Sequence, residues 1–278
     1  MKIAISNLAF PATESDRAYE RLAAAGVAGI EIAPSRLQAW EQLSGRAGAD
    51  EKRRLTAHGL EASSLQAIFY GRPELQLLDN EAAFLQMKDH VIRLGEYADA
   101  LGATVAVFGA PRHRNRGSLG LPEALEVGAE RLSLLGAALA GSGLVLGLEP
   151  IPAHYNGDFL QSFAEVLAMV EAVDHPAIGL HLDTGCVLLN GDSISDAIFA
   201  GAARLVHFQA AEPDLGAFDR PSADHTGAAA ALNAVGYDRW VSIEMLEQGP
   251  DPLAAAEQAV TFVLNTYTTG ESNGNVRQ

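Results

Sequence analysis

Eight apolar stretches of strand length recur along the chain, and each is followed by a longer stretch with helical spacing. The strand-like stretches cover residues 2–10, 28–34, 60–69, 104–111, 144–150, 177–183, 204–210 and 240–245. They are rich in Val, Ile and Leu and alternate little between apolar and polar positions, which is typical of parallel strands buried on both faces. The helical stretches lie near 14–25, 49–58, 82–101, 122–140, 159–173, 192–200, 224–235 and 252–266.

The order of these elements favours a closed barrel over an open, doubly wound sheet. An open sheet of that class typically has fewer strands and a Gly-rich turn after the first one, and no G-x-G-x-x-G follows residues 2–10. No shift in composition marks a domain boundary. We therefore predict an α/β fold with a single (β/α)8 TIM-barrel domain over 1–268 and a polar C-terminal tail over 269–278.

Composition narrows the classes of partner. Of the 278 residues, 48% are hydrophobic and 19% are charged, and the formal net charge is -16. A surface this acidic repels a phosphate backbone, so we predict no nucleic-acid partner. No apolar run is long enough to span a bilayer and no signal-peptide pattern begins the chain, so we expect a cytoplasmic protein with no membrane partner. The single cysteine, Cys186, agrees with a reducing compartment.

Four consecutive strand-like stretches carry potential metal ligands near their carboxyl ends, where barrels of this kind place their active sites. The residues are Glu149, Asp183, His207 and Glu244. Three acids among Leu, Ile and Val would be costly to bury without a cation, so we predict one divalent metal ion. The oxygen-rich set favours Mn2+ or Mg2+ and leaves Zn2+, Co2+ and Fe2+ open.

Each of these residues taken alone also has a structural interpretation. Either glutamate could pair with an arginine, Asp183 could cap a helix, and His207 could be a satisfied core histidine. Four such positions on adjacent strands at one end of a barrel favour a shared site over four separate coincidences.

The chain resembles the xylose isomerase-like barrel superfamily, specifically its sugar phosphate isomerase/epimerase group, to which proteins like AP endonuclease family 2 are related. The segments that carry the resemblance are ISNLAF (5–10), GIEIAPSR (29–36), SLQAIFYGRPELQL (64–77), VFGAPRHR (107–114), LEPIPAHYNGDF (148–159), HLDTGC (181–186), VHFQAAEPDL (206–215) and IEM (243–245). The resemblance implies that Glu149 and Glu244 bind the metal and also exchange protons with the substrate, whereas Asp183 and His207 bind the metal only.

The sequence departs from the ketose epimerases of this group at two places. Cys186 stands where such enzymes often carry a histidine, three residues after Asp183. The stretch after His207 continues as Ala-Ala-Glu-Pro over 210–213 and lacks the basic residue that such enzymes place there. Substrate binding is therefore expected to differ from theirs.

Five further residues are predicted to contact the substrate: His181, Arg112, Arg114, Tyr155 and Gln66. The two arginines could attract a phosphate or carboxylate, although a solvated surface loop is the alternative. His181 lies on the same strand face as Asp183, two residues earlier. Gln66, like Glu31, ends a strand and could bind hydroxyl groups or belong to a polar layer inside the barrel.

We interpret the chain as a divalent-metal-dependent isomerase or epimerase that acts on a carbohydrate-like small molecule by proton transfer next to a carbonyl, through a metal-bound enediolate. A dehydratase or lyase using the same first step is the main alternative, and a non-catalytic small-molecule-binding barrel is another. Cleavage of DNA at abasic sites, known in the same superfamily, is disfavoured by the net charge of -16. Both a monomer and a homo-oligomer remain open.

Overall fold

The eight predicted strands form a closed parallel barrel in the order β1 to β8, with β8 pairing back onto β1. The computed structural model describes residues 1–268, so the predicted tail over 269–278 lies outside the described residues. The strands are β1 Lys2–Ser6, β2 Gly29–Ile32, β3 Glu61–Leu65, β4 Val105–Phe108, β5 Val145–Leu148, β6 Ile178–Asp183, β7 Leu205–Ala211 and β8 Trp240–Glu244. The predicted (β/α)8 fold is confirmed.

A helix follows every strand, and the segments that lead out of the strands lie at the carboxyl end of the barrel. The helices are α1 Ser15–Ala25, α2 Gly45–Ala57, α3 Glu81–Leu101, α4 Leu121–Ala138, α5 Phe163–Val173, α6 Thr184–Leu189, α7 Ile194–Gly201, α8 His225–Ala234 and α9 Pro252–Tyr267. None of the helices within 1–268 has both the length and the apolar character needed to cross a bilayer.

The short helix α6 was not predicted as a separate element. It begins directly after β6, without the polar spacer that usually signals a new helix, because Asp183 ends the strand and caps the helix at once. The Asp183 Oδ1 atom accepts a hydrogen bond of 2.6 Å from the backbone N–H of Cys186. This cap fixes Cys186 beside the end of the strand.

The two faces of the barrel strands have opposite character. Side chains that face the helices are apolar, such as Ile5, Ile30 and Phe208, each 0% exposed. The side chains that face the barrel interior are mostly polar. Strands β2 and β7 lie across the barrel from each other, so the hydrogen bond between Glu31 and His207 shows that both side chains point inward. The hydrophobic core thus lies between barrel and helices, and the barrel interior provides polar chemistry.

Candidate metal and active site

Glu149, Asp183 and Cys186 meet at the carboxyl end of the barrel. Glu149 follows β5, Asp183 ends β6, and Cys186 lies in the first turn of α6. One ligand atom from each residue lies within 4.8 Å of the other two, and all three residues are buried. The Cys186 thiol donates a hydrogen bond of 3.5 Å to Glu149 Oε1. Together with Glu244 at the end of β8, we call these residues the acidic cluster.

The carboxyl groups of the acidic cluster disfavour one another's ionisation. Burial, and next the charge of Asp183, raises the pKa of Glu149 to about 8. Burial raises the pKa of Asp183 to about 6. Burial, and next the charges of Asp183 and Glu149, raises the pKa of Glu244 well above its ordinary value.

Asp183 has one satisfied and one unsatisfied carboxylate oxygen. Its Oδ1 caps α6, as the structural alternative anticipated, whereas its buried Oδ2 has no hydrogen-bond partner within the described chain. A buried carboxylate oxygen without a partner is costly, since it loses its hydration and gains nothing in return. This atom and the mutual repulsion of the acids fit a bound cation.

Two residues in the segment after β4 position Glu149. A Cβ atom placed on Gly109 would lie 2.1 Å from Glu149 Oε2, so the absence of a side chain at Gly109 leaves the space that the carboxylate occupies. Arg114 Nη2 donates a hydrogen bond of 2.6 Å to the backbone oxygen of Glu149. The other Arg114 contacts are to the backbone oxygens of Phe108 and Leu160.

The predicted substrate-binding role of Arg114 is therefore not supported by its position. Its side chain is 1% exposed and its guanidinium is directed to backbone carbonyls, because the chain folds around it between β4 and β5. Arg112, predicted for the same role, is exposed on the surface and forms no hydrogen bond or ion pair among residues 1–268. Arg112 alone of the two can meet an anionic group.

His207 does not join the acidic cluster, contrary to the prediction that it is a metal ligand there. In the pairing of β6 with β7, Asp183 lies opposite Gln209 and His207 lies opposite His181. Two residues along a strand correspond to roughly 6–7 Å, so His207 lies one layer deeper in the barrel than Asp183. Its Nε2 atom donates a hydrogen bond of 2.8 Å to Glu31 Oε1. Because β7 extends to Ala211, His207 lies mid-strand and not at the carboxyl end.

A second group of buried polar residues lies below the acidic cluster, and we call it the polar network. Its members are Glu31, Ser64, His181, His207 and Gln209. Glu31 accepts hydrogen bonds from His207, Ser64 and Gln209 at 2.8, 2.6 and 2.7 Å. Burial alone would raise the pKa of Glu31, but the hydrogen bond and the charge of His207 hold it below its ordinary value.

His181 belongs to the polar network. Its Nε2 atom donates a hydrogen bond of 2.8 Å to Gln209 Oε1, and its ring stacks on that of His207 at 5.3 Å. Burial lowers the pKa of His181 to about 3, so the imidazole is neutral. Its Nδ1 atom is buried and has no partner within the described residues.

The remaining predicted residues lie near the same end of the barrel. Tyr155 follows Glu149 in the loop after β5, and its hydroxyl accepts a hydrogen bond of 2.8 Å from the backbone N–H of Asp214, in the loop after β7. His154 Nε2 lies 2.7 Å from Asp214 Oδ1, so the two loops are joined. Gln66 is buried after β3, donates to Ser6 Oγ, and has an unpartnered Oε1.

Sequence reasoning missed three residues that shape the site: Cys186 as a member of the cluster, Gln209 as the β7 residue level with Asp183, and Glu212. Glu212 accepts hydrogen bonds of 2.7 Å from His225 Nε2 and from the backbone N–H of Ser222. These bonds anchor the loop between β7 and α8. Every second residue of a strand faces the same side. Counting back from the last residue of β7 in this way would have placed His207 one interior layer below Gln209.

The closed barrel belongs to a known family of folds. Residues 19–265 match the family described as the xylose isomerase-like TIM barrel. The chain belongs to this family. No curated protein matches the chain in sequence.

Solved structures share the fold at low sequence identity. A D-psicose 3-epimerase structure determined in the presence of D-fructose has a TM-score of 0.82 and 17% identity, covering 96% of this chain and 99% of that chain. The 3-keto-D-glucoside 4-epimerase of E. coli has a TM-score of 0.75 and 19% identity, covering 95% and 99%. An AP endonuclease, family 2, of Brucella melitensis has a TM-score of 0.76 and 19% identity, covering 94% and 99%. At these identities the likeness shows the fold alone.

Proposed function

We propose that the protein is a divalent-metal-dependent isomerase or epimerase that moves a proton next to a carbonyl in a sugar or sugar-like polyol derivative. The observation that carries this proposal is the acidic cluster, in which the carboxyl groups of Glu149 and Asp183 meet the thiol of Cys186, and Glu244 ends β8 at the same end of the barrel. Further support comes from the names of similar folds, which include epimerases of psicose and of a 3-keto-glucoside.

The proposed metal ligands are Glu149, Asp183 and Glu244. The unpartnered Asp183 Oδ2 and the raised pKa values of the three acids support this choice, because a divalent cation would offset both costs. His207 is left out because Glu31 already binds its Nε2 atom. When bound here, a divalent ion would polarise a carbonyl and stabilise negative charge on its oxygen.

Glu149 and Glu244 are the proposed proton carriers. They extend from β5 and β8, which are separated by two strands, so they approach the centre of the barrel mouth from different sides. A carboxylate oxygen of one glutamate removes the C–H proton beside the carbonyl, and the carboxyl group of the other returns a proton to the opposite face. Return to the opposite face inverts the carbon. Return to the neighbouring carbon, together with transfer of the hydroxyl proton to the former carbonyl oxygen, moves the carbonyl.

A metal-dependent dehydratase or lyase is the second candidate function. It uses the same proton removal, after which a leaving group departs from the next carbon. Cys186 favours this alternative, since it replaces the histidine that ketose epimerases of this group often carry. A thiol offers a weaker hydrogen bond to a substrate hydroxyl than an imidazole does.

Solvent exchange tests the proposal. Metal-loaded protein would be incubated in D2O with D-psicose, D-fructose and a 3-keto-D-glucoside, followed by proton NMR and mass spectrometry. The proposal predicts loss of the C–H signal beside the carbonyl, with a product of unchanged carbon and oxygen content. Loss of water from the product would instead support the dehydratase. A metal-loaded protein that binds these compounds without exchanging any C–H proton would contradict catalysis and support a binding barrel.

A further inference from the structure

The distance between the thiol and a carboxylate in the acidic cluster matches a shared metal ion. Cys186 Sγ lies 3.5 Å from Glu149 Oε1. A tetrahedral ion with bonds of about 2.3 Å to sulfur and about 2.1 Å to oxygen would separate these atoms by about 3.6 Å. Asp183, 2% exposed and with an unpartnered Oδ2, provides a third donor in the same group.

We propose that Cys186 is a direct thiolate ligand of the metal, so that the site selects a thiophilic transition ion such as Zn2+ or Co2+ over Mg2+. The inference rests on the proposed metal-dependent function and adds a ligand and a metal class to it. Thiolate sulfur favours zinc and its neighbours, whereas Mg2+ and Mn2+ favour oxygen ligands. The preference for Mn2+ or Mg2+ drawn from oxygen donors alone changes accordingly.

The backbone holds Cys186 in this position. Its N–H donates a hydrogen bond of 2.6 Å to Asp183 Oδ1, so the thiol and the carboxylate belong to one turn. A Cβ atom on Gly185 would lie 2.9 Å from the backbone carbon and oxygen of Glu212, so only glycine allows α6 to pack this closely against the end of β7. The backbone at Cys186 is therefore held in place by the fold before any ion binds.

Strand β7 offers no nitrogen ligand that could replace the thiol. Gln209 is the β7 residue level with Asp183, and both ends of its amide are already engaged, Oε1 with His181 and Nε2 with Glu31. The acidic cluster itself offers carboxylate oxygens and one sulfur, and the second lone pair of Gln209 Oε1 would add only another oxygen donor. If an ion binds here, the Cys186 thiol would release its proton to solvent and its sulfur would bind as a thiolate.

Cobalt spectroscopy tests the proposal directly. Chelator-treated protein would be loaded with Co2+, and the near-ultraviolet sulfur-to-cobalt charge-transfer band would be recorded together with the metal content. Because Cys186 is the only cysteine in the chain, a band in the stoichiometric complex can come from no other thiol. We expect one Co2+ per chain with this band in the native protein.

The matched variant is Cys186→Ser, which keeps the size and a polar atom. We expect it to bind Co2+ without the band and to lose at least about tenfold in Zn2+ affinity, the loss typical even of an indirect contact to a metal site. Its Mg2+ affinity should change far less. If the variant does not fold by circular dichroism, X-ray absorption of the zinc-loaded native protein replaces it, with a sulfur shell expected at about 2.3 Å.

The outcomes separate this inference from the proposed function. Stoichiometric Co2+ binding without the band, or a zinc complex without a sulfur shell, would overturn thiolate ligation and leave the carboxylate metal centre intact. Failure of the native protein to bind any of these ions would overturn both. A Cys186→Ser variant with the native preference for Zn2+ over Mg2+ would show that the thiol does not set metal selectivity.

Discussion

The acidic cluster and the polar network lie in successive layers of one barrel. The buried acid of the polar network is compensated by hydrogen-bond donors, whereas the acids of the acidic cluster are not. In the polar network, Glu31 accepts three hydrogen bonds and its pKa is held below the ordinary value. In the acidic cluster, Glu149 and Asp183 have raised pKa values and an oxygen of Asp183 has no partner. Burial of polar groups therefore does not itself indicate function, whereas buried acids without compensating partners support the proposed metal site.

The largest expected effect concerns the acidic cluster. We expect Glu244→Gln to lower the rate of substrate C–H exchange with solvent by about 10²–10⁴-fold, because an amide cannot carry the proton. NMR in D2O measures this rate. The exposed Glu126→Gln variant on α4 is the control and should keep the native rate. Native exchange in Glu244→Gln would remove Glu244 from the mechanism.

The corresponding change in the polar network should affect stability. Glu31→Gln replaces one carboxylate oxygen with an NH2 group that cannot accept, so at least one of the three buried donors loses its acceptor. We expect the free energy of unfolding to fall by about 3 kcal/mol, as for one partner removed from a buried pair. Urea denaturation of metal-free protein measures it.

Asp183→Asn is the matching change in the acidic cluster, and its free energy of unfolding would be measured by the same urea denaturation of metal-free protein. Asparagine can still cap α6, and the substitution removes a charge that repels Glu149. We expect the metal-free variant to lose less than about 1 kcal/mol. An equal loss for Glu31→Gln and Asp183→Asn would abolish the distinction between the layers.

A smaller effect is expected from the glycine that makes room for Glu149. The new methyl group of Gly109→Ala would overlap Glu149 Oε2 and displace the carboxylate, which is the flexible end of its side chain. We expect activity and metal affinity to fall about tenfold, with a stability change of about 1 kcal/mol. Gly120→Ala is the control, since its nearest added contact is 4.0 Å away. Native metal affinity in Gly109→Ala would contradict this role.

The pH dependence of the metal-free protein provides a further comparison of the two layers. The raised pKa values of Glu149, about 8, and Asp183, about 6, mean that their stabilising protonation is complete in acid and is lost as the pH rises through these values. Glu31 has the opposite sign, because its lowered pKa contributes stability that is lost as the pH falls.

Calorimetry of the metal-free protein would measure this dependence. We expect the melting temperature to fall between about pH 5 and about pH 8 and the fall to become shallower in Glu149→Gln. Saturating metal should remove most of it, since the cation favours the ionised carboxylates. A melting temperature that rises over this interval would contradict the raised pKa values.

The strand and helix pattern was sufficient to predict the barrel, because parallel strands buried on both faces and regularly spaced helices leave few other topologies. The positions of Glu149, Asp183 and Glu244 also followed from sequence, since each ends or directly follows its strand. His207 was misplaced because the last residue of β7 is Ala211, and an Ala-Ala ending carries no signal of its own.

Cys186 and Arg114 could not be assigned from sequence for a different reason. Their roles depend on contacts between segments: the thiol meets Glu149 only because α6 begins without a spacer, and the arginine is enclosed by backbone from β4, β5 and the loop before α5. Such contacts form between distant segments when the barrel closes, so local patterns of hydrophobic and polar residues do not predict them.

The most direct test of the central claim is the amount of divalent metal per chain after gel filtration, measured by elemental analysis for the native protein and for Asp183→Asn in parallel. The account predicts about one equivalent in the native protein and its loss in the variant, with both proteins folded. The absence of metal from native protein, even after reconstitution with Zn2+, Co2+, Mn2+ and Mg2+, would contradict the claim that the acidic cluster is a metal centre.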